Sequence, residues 1–302
     1  MPQAGAAVGT EPVDTPTECV INISEGRDRG IITAIAAAAG SHLLDVHSDA
    51  EHHRSVLTLA GTLREIEAAA RSVATATVDT IDLRSHRGVH PRLGAIDVVP
   101  FVPLSDHDGT VTAWEPVLAA RDAFAGWMGD SLGVPCFLYG PERSLPEVRR
   151  GAFTSLVPDA GPRAPHLTAG ACAVGARTVL IAYNVWIRAS PGPDSPDDDD
   201  VVATAKSLAA GLRRPGLRTL GLAVDGGAQV SCNVVDPGLV DLVDVYDAVA
   251  RGAASHRCTV WRGELVGLLP GSALTAVPDQ RWTEIGLRAE DTIEFRRSTH
   301  RG

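Results

Sequence analysis

The feature that most constrains this chain is an order of elements that occurs twice. Glu18–Ile23 is a short apolar run that reads as a strand, and Ser24 after it is a helix-start signal. Ile31, Ile32 and Ile35, with the alanines up to Gly40, mark the helix and its stop. His42–Val46 and Ser55–Ala60 are rich in β-formers. Thr62 and Glu65 make a capping box that opens a helix through Leu63, Ile66, Ala69, Ala70 and Val73. Ile96–Val102 then returns to β-branched, apolar residues. The order is β-α-β-β-α-β, the split βαβ arrangement.

The second half repeats it. Arg177–Ile187 reads as a long strand, and Ser195-Pro196 followed by four aspartates predicts a helix to about Leu212. Pro at the first helical position and acids against the positive dipole end explain that run better than a metal cluster does. Leu217–Val224 and Gln229–Val235 flank Asp225-Gly226-Gly227, a hairpin signal that needs positive φ. Val240, Val243, Val245, Ala248 and Val249 mark a further helix, and Cys258–Trp261 a strand. Between the repeats lie a helix within Val111–Leu132, a strand at Pro135–Tyr139, a short helix at Leu145–Arg150 and the loop Pro158–Pro165. The expectation is an α/β (α+β) chain of two ferredoxin-like split βαβ subdomains, 18–175 and 176–302, after a mobile tail at 1–17. Each unit covers one sheet face with its own helices, so the other faces must meet something. Two sheets facing across a substrate cleft satisfy that need.

Net charge is −10, part of it from Asp197–Asp200, which argues against a duplex-nucleic-acid binder with clustered Lys and Arg. Arg84, Arg87 and Arg92 can still make a local positive pocket for a small anion. No apolar stretch approaches the roughly 18 residues of a membrane span. The five cysteines are an odd number without a Cys-x-x-Cys pair, which predicts a reducing compartment, hence the cytoplasm. The first 17 residues show no basic n-region and no apolar h-region, so export is not expected.

The segment Ser85–Asp97, SHRGVHPRLGAID, reads as a site loop. Its imidazoles can take or give a proton near neutral pH, and Gly88, Pro91 and Gly94 suit a sharply turning backbone. His90, extended by the following proline, is the candidate general acid/base; His86 reads as a brace. His42, His47, His52, His53, His86, His90 and His107 crowd one part of the chain, but their spacing fits no ligand pattern, so no metal site is expected. Asn22, Ser24, Glu25 and Gly26 lie where a strand ends and a helix opens, where backbone N–H groups hold either a carboxylate or a helix cap. No Gly-x-Ser-x-Gly, phosphate loop or Gly-x-Gly-x-x-Gly after a strand is present.

Taken together, ECVINISEGRD (Glu18–Asp28), LLDVHSDAEHHRSVLTLAG (Leu43–Gly61), IDLRSHRGVHPRLGAIDVVPF (Ile81–Phe101), PCFLYG (Pro135–Gly140), PDAGP (Pro158–Pro162), GARTVLIAYNV (Gly175–Val185) and ELVGLLP (Glu264–Pro270) resemble the glutamate formimidoyltransferases. Their domain also forms the front half of formimidoyltransferase-cyclodeaminase. The resemblance implies two α/β subdomains with a substrate tunnel and transfer of a formimidoyl group from N-formimidoyl-L-glutamate to N5 of tetrahydrofolate, a step in histidine catabolism and one-carbon metabolism. It places the catalytic histidine at His90, requires no metal, and implies folate contacts at Asn22, Ser24, Glu25, Gly26 and Gly94. Arg54 or Arg92 would orient a carboxylate, since Arg pairs bidentately with one, and His47 borders the same site. A homodimer is a family expectation.

Three positions depart from the family. It commonly carries Asp where His47 stands and Asn where His53 stands, and a polar residue where Leu167-Thr168-Ala169 precedes Gly170-Ala171. An acid replaced by an imidazole removes an acceptor, so the amino-acid donor is left open. A folate or small-acid binder without turnover, and a hydrolase acting on an imine or amide, are the competing readings. A chain of 302 residues is expected to have no room for a cyclodeaminase domain.

Overall fold

A computed structural model of the protein describes residues 15–88, 92–104 and 114–299. His90, His107 and most of the N-terminal tail fall outside the described residues. In the first unit the strands are β1 (Pro16–Ile23), β2 (Leu43–Asp49), β3 (Arg54–Thr62), β4 (Ile96–Pro103), β5 (Cys136–Tyr139) and β6 (Cys172–Ala176). They form one sheet in the order β2-β3-β1-β4-β6-β5, antiparallel up to β4 and parallel from β4 to β5. The helices are α1 (Arg29–Ala37), α2 (Leu63–Thr80), α3 (Trp114–Leu132) and α4 (Leu145–Gly151). In the second unit β7 (Ile181–Ala189), β8 (Leu217–Val224), β9 (Gly227–Val234) and β10 (Cys258–Val266) run in the order β10-β7-β9-β8, with α5 (Asp198–Leu212) and α6 (Leu242–Ser255) behind them.

Numbered within its own unit, each sheet contains the strand order 2-3-1-4, the first unit adding β6 and β5 beyond its fourth strand. That is the ferredoxin-like split βαβ plan read twice from the sequence. Strand alternation decides which face goes where. On β1, Cys19, Ile21 and Ile23 are buried in the helix-covered core, while Val20 and Asn22 point the other way. On β7, Ile181, Tyr183, Val185 and Ile187 join the second core, while Ala182 and Asn184 face the first unit.

Several local expectations change. β1 begins at Pro16, whose partner is Thr62, so Pro16 and Thr17 belong to the sheet and not to a tail. Ser24 does not start a helix: Asp28 is the cap of α1, accepting from the N–H of Gly30 and Ile31. Asp97, the last residue of the expected site loop, is already inside β4 and is 2% exposed. α5 is capped by Asp197, which accepts from Asp200 N–H, so Pro196 precedes the helix instead of opening it. Residues 177–180 lie before β7. The Thr62–Glu65 capping box of α2 is present, and Gly226 takes φ 72° in the β8–β9 hairpin.

The sequence reading of the stretch after β10 stops at the motif ending in Pro270 and assigns no element there. It forms α7 (Gly271–Thr275), α8 (Trp282–Ile285) and α9 (Ile293–Thr299). Its Leu268 and Ile293 pack with Leu44, Ala60 and Leu104 of the first unit, and Arg296 stands 3.8 Å from Asp45 on β2. The second unit's tail therefore fastens onto the first unit's sheet. Among the described residues no helix is long and apolar enough to cross a membrane.

Candidate active site

The two uncovered sheet faces enclose a cavity of about 980 Å³, at the upper end of the size range of small-molecule sites. Its first wall is Val20 and Asn22 of β1, Val56 of β3 and Val98 and Pro100 of β4; its second is Ala182 and Asn184 of β7 with Gln229, Ser231 and Asn233 of β9. One wall is mostly apolar and the other mostly amide and hydroxyl. Such a pair can sandwich a flat ring and bond its edge.

Charge inside the cleft opposes that of the whole chain. Arg54, Arg143, Arg149, Arg150, Arg177 and Arg218 line it, against Asp49 as the one acid among the described lining residues. Burial pulls the Arg54 guanidinium below its ordinary value, Arg149 adds to this, and Asp97, Asp49 and Glu264 oppose it. Arg149 donates to the buried Asp97 at 2.6 Å, and Asp97 also accepts from Leu93 N–H at 2.5 Å. Asp97 thus ties the start of β4 to a cationic side chain from α4. Arg143 forms a two-bond fork with Asp159 at 2.9 and 3.0 Å.

Of the residues expected at the site, Asn22, His47 and Arg54 line the cavity. Ser24, Glu25, Gly26, Gly94 and Arg92 do not. Ser24 Oγ donates to Gly94 O at 2.8 Å, and the Glu25 carboxylate accepts from the N–H of Arg27 and Asp28. The Gly26 N–H donates to His53 Nδ1 at 3.2 Å. The backbone N–H groups of Ser24, Gly26, Arg27 and Asp28, in the segment expected to hold a ligand carboxylate, are therefore occupied by the chain's own carbonyl and side-chain groups. A Cβ on Gly26 would fall 2.1 Å from Asp49 O, and one on Gly94 would fall 2.0 Å from Ala171 O, so close backbone packing explains both glycines. Arg92 donates to Gly88 O and lies 3.3 Å from His86 Nε2, bracing its own loop.

The histidines separate. His47 and His52 line the cavity, whereas His53 turns back, with its ring 4.0 Å from that of His86. His53 has φ 50°, a left-handed conformation in which Asn, Asp and His are enriched among non-glycine residues. Asp49 sets up this turn by accepting from Glu51 and His52 N–H, both at 2.8 Å. Among the described residues no group of three or more His, Cys, Asp or Glu is placed to hold a metal ion. All five cysteines are buried thiols.

The sequence reading missed several residues in or beside the cleft. Glu264 on β10 accepts from Asn184 and Trp186 and stands 3.8 Å from His47 across the cleft. Gln229 is 1% exposed, and its Nε2 has no hydrogen-bond partner among the described residues. Tyr139 lies flat over Gly175, its strand partner, where a Cβ would come within 2.1 Å of the ring. Strand alternation on β7, β9 and β10 was the available signal; it needed the knowledge of which face lay uncovered.

Residues 16–177 match the family described as "Formiminotransferase domain, N-terminal subdomain". The glutamate formimidoyltransferase of Streptococcus pyogenes serotype M1 is 35% identical over 288 residues, covering 87% of this chain and 91% of that protein. The glutamate formimidoyltransferase of Thermoplasma acidophilum is 33% identical, covering 86% of this chain and 90% of that protein. The formimidoyltransferase-cyclodeaminase of Gallus gallus is 34% identical over 85% of this chain, which spans 50% of that protein's length.

Proposed function

The chain belongs to the glutamate formimidoyltransferase family and is a transferase of that kind; from that premise we propose that it moves a formimidoyl group from an N-formimidoyl amino acid, N-formimidoyl-L-glutamate first among them, to N5 of tetrahydrofolate. The observation that carries this reading is the cleft itself: six arginines line a cavity of about 980 Å³ in a chain of net charge −10. Both substrates are flexible carboxylates, and folate adds a flat heterocycle suited to the amide wall at Asn184, Gln229 and Asn233.

In the proposed reaction N5 attacks the imine carbon and the new C–N bond forms. His90 takes the N5 proton and returns it to the amino-acid nitrogen, which leaves with the electron pair of the old C–N bond. Folate acts as co-substrate, and no metal is required. Arg54 is the proposed carboxylate partner at the reacting end, with Asn22 beside it. His47 meets the donor, while Ser24, Glu25, Gly26, Gly94 and Arg92 shape the loop that carries His90. A homodimer in the cytoplasm is the proposed state, the buried thiols suiting a reducing compartment.

Purified protein given N-formimidoyl-L-glutamate and tetrahydrofolate should yield 5-formimidoyltetrahydrofolate by mass. His90→Gln should keep folate binding and lose about 10²- to 10⁴-fold in kcat. Folate binding without turnover of any N-formimidoyl amino acid would establish a binding protein instead, and neither binding nor turnover would refute the proposal.

A further inference from the structure

Beside the apolar packing at Leu44 and Ala60, three polar contacts among the described residues join the β2–β3 hairpin to the second unit. Asp45 stands 3.8 Å from Arg296, the Glu51 carboxylate accepts from Asp225 N–H at 2.6 Å, and His47 Nε2 lies 3.8 Å from Glu264 Oε1. The last of these meets the cleft at His47, which lines it. The Glu264 carboxyl has a fixed orientation. Its Oε2 accepts from Asn184 Nδ2 at 3.1 Å and Trp186 Nε1 at 2.9 Å, and its Oε1 accepts from Arg262 Nη2 at 3.0 Å. The guanidinium of Arg262 is itself stacked over the Trp186 ring at 4.2 Å.

A carboxylate surrounded by donors offers the facing imidazole nitrogen only acceptor lone pairs. A neutral ring is then favoured to present Nε2–H to Glu264, which leaves Nδ1 as the acceptor nitrogen. At 3.8 Å the contact is longer than a hydrogen bond, but the field of the carboxylate still favours the tautomer that points its proton at it. Asp45, on the same strand, is pushed above the ordinary carboxylate range by burial, with Arg296 and His47 opposing the shift.

We infer that Glu264 is a positioning residue for His47, holding the imidazole as its Nε2–H tautomer so that Nδ1 accepts from the terminal N–H of a formimidoyl group and disfavours a formyl group, which carries a carbonyl oxygen there. The inference rests on the transferase reading and adds its choice of one-carbon group. Two acceptors cannot pair, and a site that loses a hydrogen bond on binding the wrong analogue discriminates strongly against it.

Glu264→Gln inverts the arrangement. Its amide oxygen belongs where Asn184 and Trp186 both donate, two donors against the one from Arg262, which turns the NH₂ toward His47 and demands an acceptor at Nε2. Glu264→Asp keeps the acceptor. The test is ¹⁵N NMR of histidine-labelled protein above the imidazole titration, with His47 assigned by its loss in His47→Gln. A parallel assay takes the inhibition constant of N-formyl-L-glutamate relative to the KM for N-formimidoyl-L-glutamate. The native protein and Glu264→Asp should show Nε2–H at His47. Glu264→Gln should show Nδ1–H, and its ratio should fall about tenfold or more. An unchanged tautomer in Glu264→Gln overturns the inference, as does an inverted tautomer with an unchanged ratio. If the native protein transfers nothing, the transferase reading and the choice of group fall together, while the tautomer measurement still decides whether Glu264 positions His47.

Discussion

Replacing Glu18 by Gln should stabilise the protein at pH 8 and leave it nearly unchanged at pH 4. Glu18 lies on β1 between Ala60 of β3 and Val102 of β4, and is 3% exposed. Burial pushes its carboxyl from 4.5 up to about 7, while Arg177 draws it down and Glu294 of α9 pushes it further up. The unfolded chain releases this proton near the ordinary value, whereas the folded chain keeps it until about pH 7. Between those two values the folded state binds more protons, so stability falls as pH rises. The shift corresponds to about 3 kcal/mol at full ionisation. Glutamine has the same shape and no charge to desolvate, so it escapes this loss. Urea unfolding of both proteins at pH 4, 6 and 8 gives the measurement, with the m-value checking that the denatured state is unchanged. The variant's advantage should be near zero at pH 4 and approach about 3 kcal/mol at pH 8. An advantage that does not grow with pH would show that Glu18 ionises freely in the folded state. Glu294→Gln, which removes the neighbouring like charge, should shrink the native pH slope and so tests the cause separately.

Two further substitutions probe the cleft walls. Gln229→Leu removes a buried donor that has no partner among the described residues; unfolding free energy should rise by about 1 kcal/mol, and calorimetry should find a folate analogue bound more weakly, an equal affinity counting against a ligand role for that amide. Gly175→Ala puts a methyl group 2.1 Å from the Tyr139 ring atoms, so the ring must shift into the cavity. Its melting temperature and analogue affinity should both fall, and an unchanged affinity would mean that Tyr139 does not shape the site.

The parts of this molecule that were legible in the sequence are those fixed by neighbours in the chain. Thr62 and Glu65 cap α2 across one turn, Asp225-Gly226-Gly227 closes a hairpin, and alternation along β1 and β7 separates the faces. Because the two units repeat one plan, reading it twice was enough to infer two bare faces and a cleft. Position 26 shows where that reasoning stops. A glycine between a strand and a helix looks like an anion cradle, yet its N–H is taken by His53, and its missing Cβ makes room for Asp49 and Arg54 of a neighbouring hairpin. Arg149 and Asp97 meet because a helix after β5 returns beneath the start of β4. Glu264 reaches His47 only because the two sheets face each other. No local pattern distinguishes these side chains from surface charges. Their placement is a property of the packed pair of sheets: duplication makes the cleft predictable from local signals, while its chemistry depends on which side chains the two halves present to each other.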